Sequence, residues 1–284
     1  MNSFSKQKVA ELRLADNWQG LTVEKWSNLV FEPGKLIEKP ARVFKSENGK
    51  AAVLKQIESK GEKILFVVKK STSHDRLKNL GDLFRPPKAV RNFHIALELK
   101  NRDIDVAEPV AGLWRKKGIQ CLENIYITEF CQGSLNLYDV AFGKDAEIIS
   151  GFRARKAVIQ RVAELIAKLH KSGFWHRDPK AGNFIVYKSE DGAYKVKLID
   201  LDGIKRNIFS RQKKHIRTLS GLAETLIRFK AVNFTDLCRG FLYYCNAMGI
   251  SGDEAKELFR KVERATVAAR LLTIVSDSYE LKEK

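Results

Sequence analysis

Two short runs constrain this chain more than anything else in it. His176-Arg177-Asp178-Pro179-Lys180-Ala181-Gly182-Asn183 reads as H-R-D-x-K-x-x-N, and Lys197-Leu198-Ile199-Asp200-Leu201-Asp202 is an apolar strand ending in aspartate. Between them, Phe184-Ile185-Val186-Tyr187 and Lys195-Val196-Lys197-Leu198-Ile199 flank Glu190-Asp191-Gly192, a hairpin signal. Asn183 therefore opens one strand and Asp200 closes its partner, so an amide oxygen and a carboxylate meet. Phosphoryl transfer needs such a set. One carboxylate takes or orients the proton of the attacking hydroxyl, and a lysine neutralises charge on the moving group. An amide oxygen and a second carboxylate hold magnesium against nucleotide phosphates. Asp178, Lys180, Asn183 and Asp200 supply these four roles in order. The plain alternative, a charged surface loop, does not explain three fixed spacings in a strand-loop-strand setting.

The stretch before this site reads as β structure. Arg42-Val43-Phe44-Lys45 leads to the hairpin dipeptide Asn48-Gly49, whose two positions tolerate positive φ. A second strand runs from Ala52 to Ile57 and a third from Lys63 to Lys70. Phe66-Val67-Val68-Lys69 sits where V-A-I-K would sit, with Lys69 directed at the α- and β-phosphates of ATP; a solvated strand end is the competing reading. The phosphate-covering loop, Ser46-Glu47-Asn48-Gly49, has one glycine where G-x-G-x-x-G has three. Pro86-Pro87 introduces a helix to about Arg102, and Ile125 to Phe130 forms a strand running into a hinge at Cys131-Gln132-Gly133-Ser134.

Arg153 to Lys171 is the clearest helix, with Val158, Val162, Leu165, Ile166 and Leu169 on one stripe and Gly173 in position for a left-handed cap. It delivers the chain to Phe174-Trp175-His176. His176 reads as a loop brace and His170 as a packing or capping residue. Past Gly203, Lys205, Arg206, Arg211, Lys213, Lys214 and Arg217 precede a helix from Leu219 to Phe229, and two or three helices follow from Phe234. A solvated face is the commoner reading of such a basic run. The net charge of +18 over 284 residues makes a docking surface for phosphate or an anionic membrane its competitor.

The expected fold is α+β and bilobal: a small antiparallel β-rich N-lobe over 39–133 and a mainly helical C-lobe over 134–284, after an N-terminal extension over 1–38 carrying Trp18 and Trp26. No apolar run approaches the ~20 residues of a membrane span, and Met1 to Lys6 lacks the apolar core of a signal peptide. Cys121, Cys131, Cys238 and Cys245 lack C-x-x-C pairing and read as reduced thiols. A cytoplasmic protein, peripheral at the inner membrane face, is the expectation.

With these motifs in place, the chain resembles the bacterial lipopolysaccharide core kinases, the Kdo and heptose kinases related to protein kinases. The resemblance spans about Ala41 to Phe229. It rests on Phe174 through Asn183, on Leu198-Ile199-Asp200-Leu201-Asp202 as a variant of D-F-G, and on the helix from Ala89 leading to Glu108-Pro109-Val110-Ala111. It implies that Asp178 is similar to the family's catalytic base and Lys180 to its phosphate-stabilising lysine. Asn183 and Asp200 resemble its metal ligands, and Lys69 its ATP-binding lysine. It further implies ATP and Mg²⁺ as cofactors and lipid A–core oligosaccharide or another anionic sugar as acceptor.

Two departures stand out. The helix glutamate that pairs with the strand lysine should fall near Asn92, and Glu98 lies six residues on. No A-P-E segment follows Asp202, which counts against a phosphorylation-regulated protein kinase. Two other functions stay open: a kinase for protein Ser/Thr or another small molecule, and a pseudokinase scaffold binding an anionic partner. Nucleic acid is not an expected partner, because the basic residues lack aromatic interleaving.

Overall fold

The computed structural model describes residues 7–29, 31–47, 49–59, 62–72, 85–117, 120–142, 151–207, 211–228 and 232–280. Asn48 of the expected hairpin and Phe229 lie outside them; Gly49 adopts φ 72°. The chain divides into two compact units, Met1–Gln132 and Gly133–Lys284.

The first unit is built on strands β1 (Val9–Arg13), β2 (Trp18–Val23), β3 (Arg42–Glu47), β4 (Lys50–Ser59), β5 (Glu62–Thr72), β6 (Pro109–Lys117) and β7 (Gln120–Glu129), with helix α1 (Lys88–Lys100) between β5 and β6. They form one antiparallel sheet in the order β1-β2-β6-β7-β5-β4-β3. The expected N-terminal extension thus contributes two strands to the sheet itself. The helix ends at Lys100 rather than Arg102, where Asn101 caps it and Asp103 takes positive φ.

Register assigns each sheet residue to a face. Ala52, Lys69, Tyr126, Gly112 and Leu21 are cross-strand partners in one row, so their side chains share a face. That face meets α1, because a Cβ on Gly112 would stand 2.8 Å from the Ala89 carbonyl oxygen. The adjacent row of Val53, Val68, Ile127, Ala111 and Thr22 faces the other way. There Trp26 meets Phe66 edge-on at 5.4 Å, and Leu29, Phe31 and Leu36 join the same core cluster. The N-terminal segment covers one face of the sheet and α1 covers the other.

The second unit carries strands β8 (Leu135–Asn136), β9 (Phe174–His176), β10 (Phe184–Lys188), β11 (Tyr194–Leu198) and β12 (Ile204–Arg206). Its helices are α2 (Leu137–Phe142), α3 (Phe152–Lys171), α4 (Arg211–Ile227), α5 (Phe234–Met248) and α6 (Gly252–Glu280). The α3 stripe of Val158, Val162, Leu165, Ile166 and Leu169 is buried. Helix α3 packs on α5, and α4 on α6. Helix α4 starts at Arg211, eight residues before the expected Leu219, so Arg211 to Arg217 form its first two turns.

Candidate active site

The loop after β9 is held from beneath by helix α4. Thr218, fully buried, accepts a hydrogen bond from the His176 backbone N–H (3.2 Å) and donates to the His176 carbonyl (3.0 Å). Arg217 Nε donates to the Arg177 carbonyl at 3.2 Å, and the Ala181 N–H donates to Thr225 Oγ1 at 3.2 Å. Between these contacts Gly221 presents no side chain: a Cβ there would lie 3.1 Å from the Pro179 ring. Thr218, Gly221 and Thr225 fall at i, i+3 and i+7, one face of the helix. Both ends of the loop are thereby tied to a single rigid element.

His176 braces the loop from within. Its ring is buried, with Nδ1 accepting from the Asp178 N–H (3.2 Å) and Nε2 facing the Asp200 carbonyl at 3.1 Å. A carbonyl can only accept, so Nε2 carries the proton and Nδ1 does not. Burial lowers its pKa from 6.5, against the smaller opposing pull of the Asp200 carbonyl and carboxylate. The imidazole is therefore neutral, and with the ring buried and both nitrogens engaged it offers no lone pair to an incoming hydroxyl. Gly203 lies against the ring so closely that a Cβ would overlap it. The Arg177 N–H also donates to the Gly203 carbonyl (2.8 Å), which joins the loop to the segment after Asp200.

This bracing presents Asp178 and Lys180 to solvent. Their side chains are 63% and 61% exposed and stand 3.2 Å apart, Lys180 Nζ to Asp178 Oδ2. An ion pair so exposed adds little stability; its effect is to place an ammonium beside the carboxylate. A single 3-10 turn, Ala181–Asn183, then leads into β10.

Asn183 and Asp200 stand at one end of the β10–β11 hairpin. Phe184 pairs with Leu198, and the Ile199 N–H donates to the Asn183 carbonyl at 3.0 Å. Asn183 Nδ2 donates to the Asp178 carbonyl (3.3 Å), which orients the amide so that Oδ1 is the atom able to coordinate. The Asp202 N–H approaches Asp200 Oδ1 at 3.4 Å. An amide oxygen and a carboxylate are hard donors, and Mg²⁺ is commonly held by one or two protein oxygens plus nucleotide phosphates. The residues present fit a magnesium–nucleotide site.

Lys69 belongs to the first unit. Its row places it on the face that meets α1, beside Tyr126 and Ala52. Asn92 of α1 is buried, and Glu98 pairs with Arg102 at 3.0 Å. The buried carboxylate of this sheet is instead Glu123, on the opposite face, where Lys70 (2.7 Å) and Arg115 both bind it. Burial would raise the Glu123 pKa, but these two cations outweigh it and hold the carboxyl below 4.5. Sequence reasoning missed this cluster. It also missed the α4 brace, whose small residues carry no motif.

Residues 35–241, most of the chain, match the lipopolysaccharide kinase (Kdo/WaaP) family. Among solved structures, one titled WaaP in complex with acyl carrier protein is similar in fold, with a TM-score of 0.55 and 19% sequence identity. The match covers 85% of this chain and 95% of that one. No curated protein matches the sequence. The bilobal kinase-like fold follows from the second comparison and the family from the first: this chain belongs to the lipopolysaccharide kinase (Kdo/WaaP) family and is an ATP-dependent phosphotransferase.

Proposed function

We propose that the acceptor is a sugar hydroxyl, on Kdo or heptose, of the lipid A–core, and that Asp178 takes up its proton during in-line transfer of the γ-phosphoryl group. The observation that carries this reading is the loop geometry. Asp178 is exposed while its backbone is fixed at both ends, so it can meet an incoming hydroxyl without first being ordered. Lys180, 3.2 Å away, offsets charge on the transferring group. Asn183 and Asp200 would hold Mg²⁺, and Lys69 binds the α- and β-phosphates. ATP supplies the phosphoryl group, and the bound metal would supply neutralising charge against the nucleotide phosphates. No helix among the described residues is long and apolar enough to cross a membrane, and the +18 charge supports peripheral contact with an anionic leaflet. Purified protein given radiolabelled ATP and purified lipid A–core should label the core; label on a generic protein substrate but not on the core would favour a protein kinase.

A cavity of about 910 Å³ in the second unit favours a second ligand. Val162, Ile166, Leu222, Phe234, Phe241 and Val262 are among its lining residues. An acyl chain suits such a lining, and the WaaP structure's partner is an acyl carrier protein. The chain therefore takes an acyl group there, from the lipid acceptor or from a carrier. Binding of a fluorescent long-chain fatty acid, lost on Val162→Glu, would test this.

A further inference from the structure

The basic run expected from the sequence becomes, in the fold, a group of cations beside the proposed base, two of them over the Trp175 ring. Strand β12 pairs with β9 so that Lys205 stands opposite Trp175. Lys214 and Arg217 approach the same indole ring at 5.9 and 5.7 Å. Arg177, which precedes Asp178 in the chain, is tied to Arg217 through its carbonyl. Lys213 lies one turn before Arg217 on the same helix face. Arg177, Lys205, Lys213 and Arg217 are exposed. Among the described residues no carboxylate pairs with Arg177, Lys213, Lys214 or Arg217. Like charges so gathered repel one another, and an anion bound among Arg177, Lys214 and Arg217 would relieve that repulsion.

The geometry points to an anion subsite for the acceptor, in which Arg177, Lys214 and Arg217, with Lys205 and Lys213 at the rim, bind a carboxylate or phosphate already present on the sugar. This rests on the core-kinase reading and deepens it: the acceptor is chosen for acidic groups near the reacting hydroxyl. The guanidinium planes of Arg177 and Arg217 suit bidentate recognition of carboxylate or phosphate. The indole beneath Lys214 and Arg217 holds those two side chains in place by cation–π attraction.

The test uses the full chain and deacylated core oligosaccharide, which keeps the acidic sugars and removes the acyl chains. Lys213→Gln combined with Lys214→Gln leaves every side-chain hydrogen bond to the loop intact. It should weaken oligosaccharide binding, by calorimetry without ATP, about 10-fold, as for loss of a charge-assisted contact. KM for the oligosaccharide should rise in parallel, with KM for ATP and kcat within about twofold. Neutralising the oligosaccharide, by removing phosphates and esterifying carboxylates, should erase the difference between wild type and variant. Lys256→Gln on α6, an exposed lysine paired with Asp253, is the control and should change nothing. Unchanged oligosaccharide affinity in the double variant would overturn the subsite. So would loss of binding to phosphatidylglycerol vesicles with oligosaccharide affinity retained, since the cations would then serve a membrane. If wild type binds the oligosaccharide but never phosphorylates it, the core-kinase reading fails and the subsite stands.

Discussion

The two units place the groups proposed to act on phosphate in opposite ways. Lys69 stands in the middle of a seven-stranded sheet covered by α1 on one face and by the segment around Trp26 on the other. Asp178 and Lys180 stand on an exposed loop whose backbone alone is fixed. In the first case position comes from the packing of a whole sheet. In the second it comes from a few hydrogen bonds to one helix. Damage to the sheet should therefore register as lost stability, and damage under the loop as lost turnover beside any loss of stability.

The sharpest contrast is between Asp178→Ala and Lys69→Ala. A base acts in the transition state, so Asp178→Ala should lower kcat by ~100-fold or more and leave ATP affinity nearly unchanged. Lys69→Ala should weaken ATP binding about 10-fold, the scale of one charge-assisted hydrogen bond. Nucleotide titration with single-turnover transfer separates the two, and matching profiles would break the distinction.

Two glycines sharpen the comparison. Gly203→Ala forces the His176 ring aside and tilts the loop, and displacements of that kind reduce turnover by up to ~100-fold. Because that ring is buried and hydrogen-bonded at both nitrogens, roughly 1–3 kcal/mol of stability should go with it. Gly112→Ala drives a methyl against the Ala89 carbonyl and should destabilise by roughly 1–3 kcal/mol. Thermal melts beside activity assays would show whether the loss of turnover is confined to Gly203→Ala.

Thr218→Val removes the hydroxyl that serves both backbone groups of His176. It should be destabilising by about 1–3 kcal/mol with some loss of kcat, and Thr218→Ser should restore both. Failure of serine to rescue would show that Thr218 acts by shape rather than by its hydrogen bonds.

The smallest effect is on pH. His170 and His215 stack at 3.9 Å between α3 and α4, and Tyr244 bonds His170 at 2.8 Å. Burial lowers the pKa of His170, His176 and His215 below 6.5, His215 to about 4. The unfolded chain therefore binds more protons than the folded one below pH 6.5, so stability is full above that value and falls toward pH 4. His215→Phe keeps a ring in the stack and removes one titration, so its melting temperature should fall less steeply between pH 6.5 and 4.

What the sequence shows and hides follows the same division. The residues of the loop and hairpin are legible because chemistry demands particular side chains at fixed spacings, from Asp178 through Asp200. The long strands are legible because β5 carries the apolar run Ile64 to Val68 and Gly49 takes positive φ just before β4. The brace is silent because Thr218, Gly221 and Thr225 are ordinary small residues until α4 lies under the loop. The start of α4 is obscured because Arg211-Gln212-Lys213-Lys214-His215 lacks apolar periodicity. Strands β1 and β2 escape for a related reason: Val9 and Leu12 in one and Trp18, Leu21 and Val23 in the other follow no clean alternation among polar and small neighbours.

The most direct measurement is mass spectrometry of the lipid A–core from cells lacking the gene, complemented with wild type or with Asp178→Ala. The account predicts that one phosphate disappears on deletion, returns with wild type, and does not return with Asp178→Ala. An unchanged core in all three strains, or full restoration by Asp178→Ala, would contradict it.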